Sequence, residues 1–453
     1  MKQKLDFKFR FIHVSDTHLG SILHINSNDG YDMDGRFSEA VYTAFQRICH
    51  VAINLQVDFI IISGDIYDRE LKTVKASRFF YDQCKRLEEK NINIYLIRGN
   101  HDPLGEDKEL FVLPQNVHTF SCEEAEAVDL YIDGDLVGKI IGQSYKNKWE
   151  GRKIFKTYGQ ADSLLYNIGV LHTGLDINDN RYVPSTIEEL KLIKNINYWA
   201  LGHIHKCKVI NSEGPAIAYP GIPQGRDIGE EEIGGCLLVE VREDLTEKIR
   251  YIPISSFVWL KITLNINEKK ERELDNLNDL EEFIIEEGKK ILERNLTIPE
   301  GLESIYPADK VVEGYIVQWN LEGRGKIDSI LREDEENVVS YLKDRLNDYF
   351  MSQSVLIYTD SIYINTLKEV PLDYLSNRNQ VIKSVNEIVD LLLKDENMKK
   401  EVISSFGSLF EKVNDKEDFN EEKIPLDDQL IEDIINASRE IIIEKFIEKG
   451  EYN

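Results

Sequence analysis

A layered α/β domain, followed by a small α+β region and a helical C-terminal segment, is the architecture that this 453-residue sequence predicts. Three observations carry the prediction. Short β-branched apolar runs such as "DFIIIS" (58–63) and "NIYLI" (93–97) lack polar alternation, as strands buried on both faces do. Amphipathic segments alternate with such runs through about residue 240, the signature of a layered α/β domain. Beyond about residue 255 the grammar changes to strand-like pieces set among acid-rich helical sequence.

Element by element, the first run ends at "VSDTHLG" (14–20), and the following "EAVYTAFQRICHVAINLQ" spaces Val41, Phe45, Ile48, Ala52 and Leu55 three to four apart. Phe80, Cys84 and Leu87 repeat that spacing after the second run. "YNIGVLH" and "NYWALG" read as further strands, and "GGCLLVEV" (234–241) as the last strand of the first domain. "GYIVQWNL" and "SVLIYTDSIYI" are strand-like and flank the helical "NDLEEFIIEEGKKILERN" and "ENVVSYLKDRLNDYF". At the end, "VIKSVNEIVDLLL" and "QLIEDIINASREIIIEKFIEKG" are helical, and "KVNDKEDFNEEKIPLDD" between them reads as a linker or long loop. The expected domains are residues 1–255, 256–370 and 371–453.

Composition narrows the class. With 42% hydrophobic residues the chain has enough apolar sequence for two or three packed units. Its formal net charge of −27 leaves no extended basic track for a polyanion, so any nucleic-acid contact must be local, metal-assisted or shared with a partner. Cys49, Cys84, Cys122, Cys207 and Cys236 are scattered without C-x-x-C spacing, which fits reduced thiols and a cytoplasmic location. "MKQKLDFKFRF" lacks the apolar core of a signal peptide, and no apolar stretch is long enough to span a bilayer.

Chemistry is concentrated where the buried runs stop. Their ends carry Asp16 and His18, Asp65 and Asp68, Asn100 and His101, His172, and finally His203 and His205. In an open α/β sheet the carboxyl ends of the strands share one edge, so these tips are expected to converge. Asp16, His18, Asp65, Asn100, His172, His203 and His205 supply seven oxygen and nitrogen donors, a set suited to Mn²⁺, Fe²⁺ or Zn²⁺. Seven ligands exceed one tetrahedral ion but fit two ions about 3.5–4 Å apart, with Asp65 as the bridge. A lone D-x-H is a common turn; five of the nine histidines at strand tips is a different matter. His13, inside a strand, His50, in a helix, and His24 and His118, in expected loops, are read as structural or solvated.

At "DTHLG", "GDIYDRE", "GNHDP", "LHTG" and "GHIH" the sequence resembles the calcineurin-like metallophosphoesterases. "YPGIPQGRDIGEEEIGGCLLVEV" narrows the likeness to the SbcD-type and meiotic-recombination-eleven repair nucleases, with Ile222 where serine is usual. The resemblance implies a layered β-sandwich metallophosphoesterase core flanked by helices, a small α+β cap domain, and Asp16, His18, Asp65 and His205 on one ion with Asp65, Asn100, His172 and His203 on the other. Manganese is the usual metal; Mg²⁺ is also possible. His101 is implied to sit by the scissile phosphate, with Asp68 to orient and charge it, although Asp68 can equally cap the following helix.

The resemblance therefore implies a DNA exonuclease and endonuclease for repair or defence, a homodimer, partnered by an SMC-like ABC ATPase of the SbcC type or another DNA-translocating ATPase. A phosphodiesterase for small nucleotides and a non-catalytic scaffold are the competing readings. Arg69, Arg98, Lys206 and Arg226 neighbour the motifs as candidate phosphate contacts, with surface charge the plainer reading of each.

Overall fold

The computed structural model describes residues 7–26, 35–68, 71–106, 109–159, 161–162, 164–176, 180–210, 214–267, 274–351, 353, 355–369, 380–395, 397–399, 410–412, 424–426 and 428–448. They form two compact units, Met1–Leu367 and Lys368–Asn453.

In the first unit the strands are β1 (Phe9–Val14), β2 (Phe59–Ser63), β3 (Asn93–Ile97), β4 (Val117–Thr119), β5 (Glu126–Ile132), β6 (Asp135–Gly142), β7 (Tyr166–His172) and β8 (Tyr198–Gly202). They continue with β9 (Lys208–Ile210), β10 (Ala216–Tyr219), β11 (Gly235–Val241), β12 (Glu247–Pro253), β13 (Phe257–Asn265), β14 (Glu303–Ser304), β15 (Gly314–Gly325) and β16 (Leu356–Lys368, which runs one residue past the unit boundary). One sheet has the order β14-β12-β11-β1-β2-β3-β4, a second β5-β6-β7-β8-β10-β9, and a third β13-β15-β16. β1, β2 and β3 are mutually parallel, as are β6, β7 and β8.

Alternation along β1 shows why its run carries no polar pattern. Phe9 and Phe11 face the second sheet, where Phe11 stacks on Phe59 at 4.9 Å and meets Tyr198 edge-on at 5.5 Å. Ile12 and Val14 face the opposite way, toward α1 (Arg36–Leu55) and α2 (Val74–Glu88). The apolar stripe of α1, including Val41, Phe45, Ile48 and Ala52, fills that outer layer. Thr73 caps α2, its hydroxyl accepting from the Ala76 amide at 3.1 Å. α3 (Ile187–Lys191) lies over the second sheet, whose outer face buries Trp199, Leu201 and Ile217.

Two sequence expectations change. "GGCLLVEV" does not end the first sheet, because Glu247–Pro253 turns back through "EDLT" and pairs antiparallel with it from Gly235↔Pro253 to Val241↔Glu247. The polar residues of that return strand masked its register in the sequence. His118 lies in β4 and not in a loop.

The α+β part adds α4 (Leu277–Leu292), α5 (Ile327–Glu333) and α6 (Glu335–Phe350) beside the three-stranded sheet. Phe283, Ile284, Leu342, Leu346 and Phe350 bury against Trp319 and its neighbours. In the second unit, α7 (Gln380–Lys394) and α8 (Asp428–Glu448) share a small core of Val389, Ile431 and Ile435. The expected linker falls largely outside the described residues, but its Ile424–Leu426 pairs parallel with Phe410–Lys412. Among the described residues no helix is long and apolar enough to cross a membrane.

Candidate metal centre

The carboxyl ends of β1, β2 and β3 in one sheet and of β7 and β8 in the other lie together, and the side chains just beyond them form one cluster. The backbone there is strained to make this possible. Asp16, His18, Asp65 and His203 all adopt positive φ, at 53°, 42°, 51° and 98°, where non-glycine residues are uncommon. Gly64 must be glycine: its φ is +101°, and a Cβ there would lie 2.3 Å from His172 Nδ1.

Carboxylates and imidazoles alternate through the cluster. His172 Nε2 is 3.0 Å from Asn100 Oδ1 and 3.4 Å from Asp65 Oδ2. His203 Nδ1 is 3.0 Å from the same Asn100 oxygen, and the His203 amide donates to both Asp16 oxygens. His18 Nε2 faces His205 Nε2 at 3.3 Å, with Asp16 Oδ1 3.9 Å from the latter. Asp16, His18 and His205 therefore have ligand atoms close enough to share one ion, as do Asp16, Asp65 and His172. A third grouping, His18, Asp68 and His101, overlaps the first.

The donors fit divalent cations. Asp16, Asp65, His18 and His172 are buried, so their charges and lone pairs need compensation that water does not give. His18 Nδ1 is buried without a hydrogen-bond partner, and the two facing Nε2 atoms leave a gap that suits a cation. Burial pulls His172 down, but the Asp65 carboxylate outweighs it and lifts the imidazole to about 9. The same pair overcomes burial to hold Asp65 well below the ordinary carboxylate range. His203 is pushed to about 3 by burial and by His172, and Asp16 is raised by burial. Opposed shifts within one cleft are the pattern expected of a functional site.

His101 occupies the edge. Its amide donates to Asp65 Oδ1 at 2.9 Å, its Nδ1 lies 3.5 Å from Asp68 Oδ1, and its side chain is 37% exposed. Burial lowers its proton affinity, but the hydrogen bond it donates to Asp68 and the nearby carboxylates outweigh that and raise it overall. Thr73, not Asp68, caps α2.

One supporting group, Glu230, escaped sequence reasoning, and a second, Arg226, reads from sequence only as a phosphate contact or surface charge. Glu230 accepts from His205 Nδ1 at 2.6 Å and from the Arg226 amide at 2.6 Å. Arg226 in turn contacts Asp68 at 3.3 Å, so it is a half-buried partner of the cluster and not a free surface charge. Arg98 is also buried, paired with Asp102 at 2.8 Å and with Glu109. Lys206 pairs with Glu232 at 2.6 Å, and Arg69 lies outside the described residues. The signal for Glu230 was its place in "RDIGEEEIGG", a turn rich in acids where no spacing singles one out.

Comparisons agree with this geometry. Residues 9–207 match the family described as calcineurin-like phosphoesterase. The chain is 29% identical over 377 residues to the uncharacterized metallophosphoesterase YhaO of Bacillus subtilis (strain 168), covering 81% of this chain and 88% of that protein. It is 26% identical over 259 residues to the DNA double-strand break repair protein Mre11 of Archaeoglobus fulgidus, covering 53% of this chain and 54% of that one. Against the Mre11 of Sulfolobus acidocaldarius the identity is 23% over 429 residues, 89% of this chain and 100% of the relative. The strand-tip cluster, from Asp16 to His205, lies within the residues that match the calcineurin-like phosphoesterase family, and that likeness together with two mixed sheets flanked by helices gives the chain an α/β metallophosphoesterase-type core.

Proposed function

We propose that the protein is a dimetal-dependent DNA nuclease with exonuclease and endonuclease activity, hydrolysing phosphodiester bonds as the nuclease subunit of a repair or defence complex. The carrying observation is a half-buried imidazole, His101, beside the Asp68 carboxylate and set against a buried cluster of carboxylates and imidazoles.

Asp16, His18, Asp65 and His205 are assigned to one ion, and Asp65, Asn100, His172 and His203 to the other, with Mn²⁺ the preferred metal. Bound there, two divalent cations would neutralise phosphate oxygens and acidify a water molecule. They would also place positive charge in the cleft of a chain whose net charge is −27.

The remaining steps belong to the protein. Glu230 accepts from His205 Nδ1, which fixes that ring and directs Nε2 into the cluster. Asp68 engages His101 Nδ1, which leaves Nε2 as the ring nitrogen able to face substrate. From there His101 can protonate the leaving oxygen, a task that its raised proton affinity favours. Arg226 holds Asp68 from the opposite side and limits its rotation.

Likeness to Mre11 proteins, named for double-strand break repair, supports DNA as substrate. The same likeness supports an SMC-like ABC ATPase as partner, a capping role for residues 256–370, and a homodimer. The helices of 371–453 are the proposed ATPase-binding element.

Purified protein is to be incubated with linear DNA, hairpin DNA and bis-p-nitrophenyl phosphate, with Mn²⁺, Mg²⁺ or chelator, alone and with an SMC-like ATPase. DNA cleavage that needs Mn²⁺ is expected. Hydrolysis of the small ester with DNA left intact would identify a small-nucleotide phosphodiesterase, and no hydrolysis of either would leave a scaffold. His101→Ala should lower DNA cleavage by about 100-fold or more while Mn²⁺ binding by calorimetry stays intact. Unchanged cleavage in that variant removes the acid role.

A further inference from the structure

Loop 145–150 walls the metal cluster. Tyr145 donates its hydroxyl to the His172 carbonyl at 2.9 Å and its amide to the Arg98 carbonyl at 3.0 Å. The segment that follows His101 is fastened to this loop, Leu104 N to Tyr145 O at 2.9 Å and Gly105 N to Lys146 O at 3.0 Å. On its other side Glu150 is bridged to Tyr182, through Glu150 N to Arg181 O at 2.8 Å and Val183 N to Glu150 O at 2.7 Å. The Tyr182 ring itself lies 4.5 Å from that of His203, and the Arg181 guanidinium sits over Tyr182 at 5.5 Å. One loop is thus tied to the His101 segment, to His172 and to the ring that covers His203.

Trp149 stands on this loop and is 60% exposed, whereas Trp199, Trp259 and Trp319 are at most 1% exposed. A single exposed apolar residue is ordinary. Its setting is not. "KNKWEGRKIFK" (146–156) holds five cations and one acid, in a chain with 82 acids to 55 bases. Nearby acids answer part of that charge: Lys146 pairs with Glu123, Arg152 with Glu150, and Lys153 and Lys156 with Glu189. Lys148 and Arg181 are exposed beside them. The Glu150–Arg152 pair and the Tyr182 bridge hold the loop in place, so the indole is presented by a fixed backbone.

We infer that Trp149 is a stacking platform for an unpaired nucleobase of the strand whose phosphodiester enters the metal site, with Lys148 and Arg181 following its backbone. This rests on the nuclease reading and narrows its substrate to single-stranded or frayed DNA. An aromatic face accepts any base, because every base has a π surface, and flanking cations supply the sequence-independent attraction. Bases inside an intact duplex are already stacked and offer no free face, so a blunt duplex has to open before it engages.

With three indoles buried, Trp149 is the one exposed emitter of the four, and its fluorescence reads the contact directly. The metal-free full chain, held in chelator so that nothing is cut, is titrated with a short oligothymidylate and with the same oligomer made abasic. Quenching by the first and little by the second is expected. By anisotropy of labelled oligomer, Trp149→Ala should bind oligothymidylate about 5- to 100-fold more weakly and Trp149→Phe should retain most of the affinity. Both variants and the native chain should bind the abasic oligomer alike. If the emission does not move and Trp149→Ala binds oligothymidylate as the native chain does, the platform is wrong while cleavage of linear or hairpin DNA keeps the nuclease reading. If the native chain hydrolyses bis-p-nitrophenyl phosphate but neither cuts nor binds any DNA, both readings fall.

Discussion

His13 continues the face of β1 that carries Phe9 and Phe11, which places an imidazole inside the core between the two sheets. Its Nε2 is 2.9 Å from the Ser63 hydroxyl, which donates onward to the Leu201 carbonyl, and its Nδ1 is 3.0 Å from the Tyr198 hydroxyl. Burial holds it neutral by lowering its proton affinity to about 3. An unfolded histidine takes a proton near pH 6.5, so between about pH 6.5 and 3 the unfolded chain binds the extra proton. The contribution is complete above pH 6.5 and drains away as pH falls through that window. Urea denaturation from pH 7 to 4.5 should therefore show the gap between native chain and His13→Gln closing by up to about 1.4 kcal/mol per pH unit. Parallel curves would mean that the imidazole is not held neutral. The strand-tip histidines and aspartates were legible because each follows an unmistakable apolar run. Glu230 and Arg226 were not, since their meaning comes from His205 and Asp68, which are distant in sequence and meet them only in the fold.

At the scale of elements, runs buried on both faces announced β2, β3, β7 and β8, and three-to-four spacing announced α1 and α2. β12 was missed because Glu247, Lys248 and Arg250 interrupt its apolar run, although Tyr251 and Ile252 pack into the cores on opposite faces of the sheet. The joint between the β2 and β3 tips was equally silent. There the buried Asp102 carboxylate accepts from Ile66 N at 3.0 Å, Gly99 N at 3.0 Å and Tyr67 N at 3.4 Å, and from Arg98 at 2.8 Å. It fastens the loop bearing Asp65 to the loop bearing Asn100 and His101. Removing it leaves three buried amides and a buried guanidinium short of an acceptor, with only Glu109 still beside Arg98. Asp102→Ala should cost roughly 3 kcal/mol or more in urea denaturation, and Asp102→Asn distinctly less, because the amide oxygen keeps part of the set. A midpoint unmoved by the alanine would show that the two loops are held by something else.

For the molecule as a whole, the apolar interior divides as the compact units do. Every buried cluster that includes the sandwich, its helices and the α+β sheet is built from residues up to Ile364, while Val389, Ile431 and Ile435 form a separate small core. Sequence pattern revealed that a change of composition begins near residue 255, yet it could not reveal that the α+β part would join the sandwich in one compact unit. That union depends on contacts such as Phe37 against Phe257 and Tyr358, and Arg47 donating to the carbonyls of Ile254 and Val311, all of them between residues far apart in the chain. Because none of the clusters around the metal site draws on a residue beyond 367 among those described, a chain ending at Leu367 retains its complete apolar interior. It should fold with a melting temperature within about 2 °C of the corresponding transition of the full chain. Its hydrolysis of bis-p-nitrophenyl phosphate with Mn²⁺ should be unchanged, since the small ester needs only the strand-tip cluster, whereas any gain in DNA cleavage on adding an SMC-like ATPase should vanish with the two terminal helices. Calorimetry and the paired assays decide it: a truncated chain that melts much earlier, or loses the small-ester activity, shows that the tail supports the catalytic unit itself and is no separable docking element.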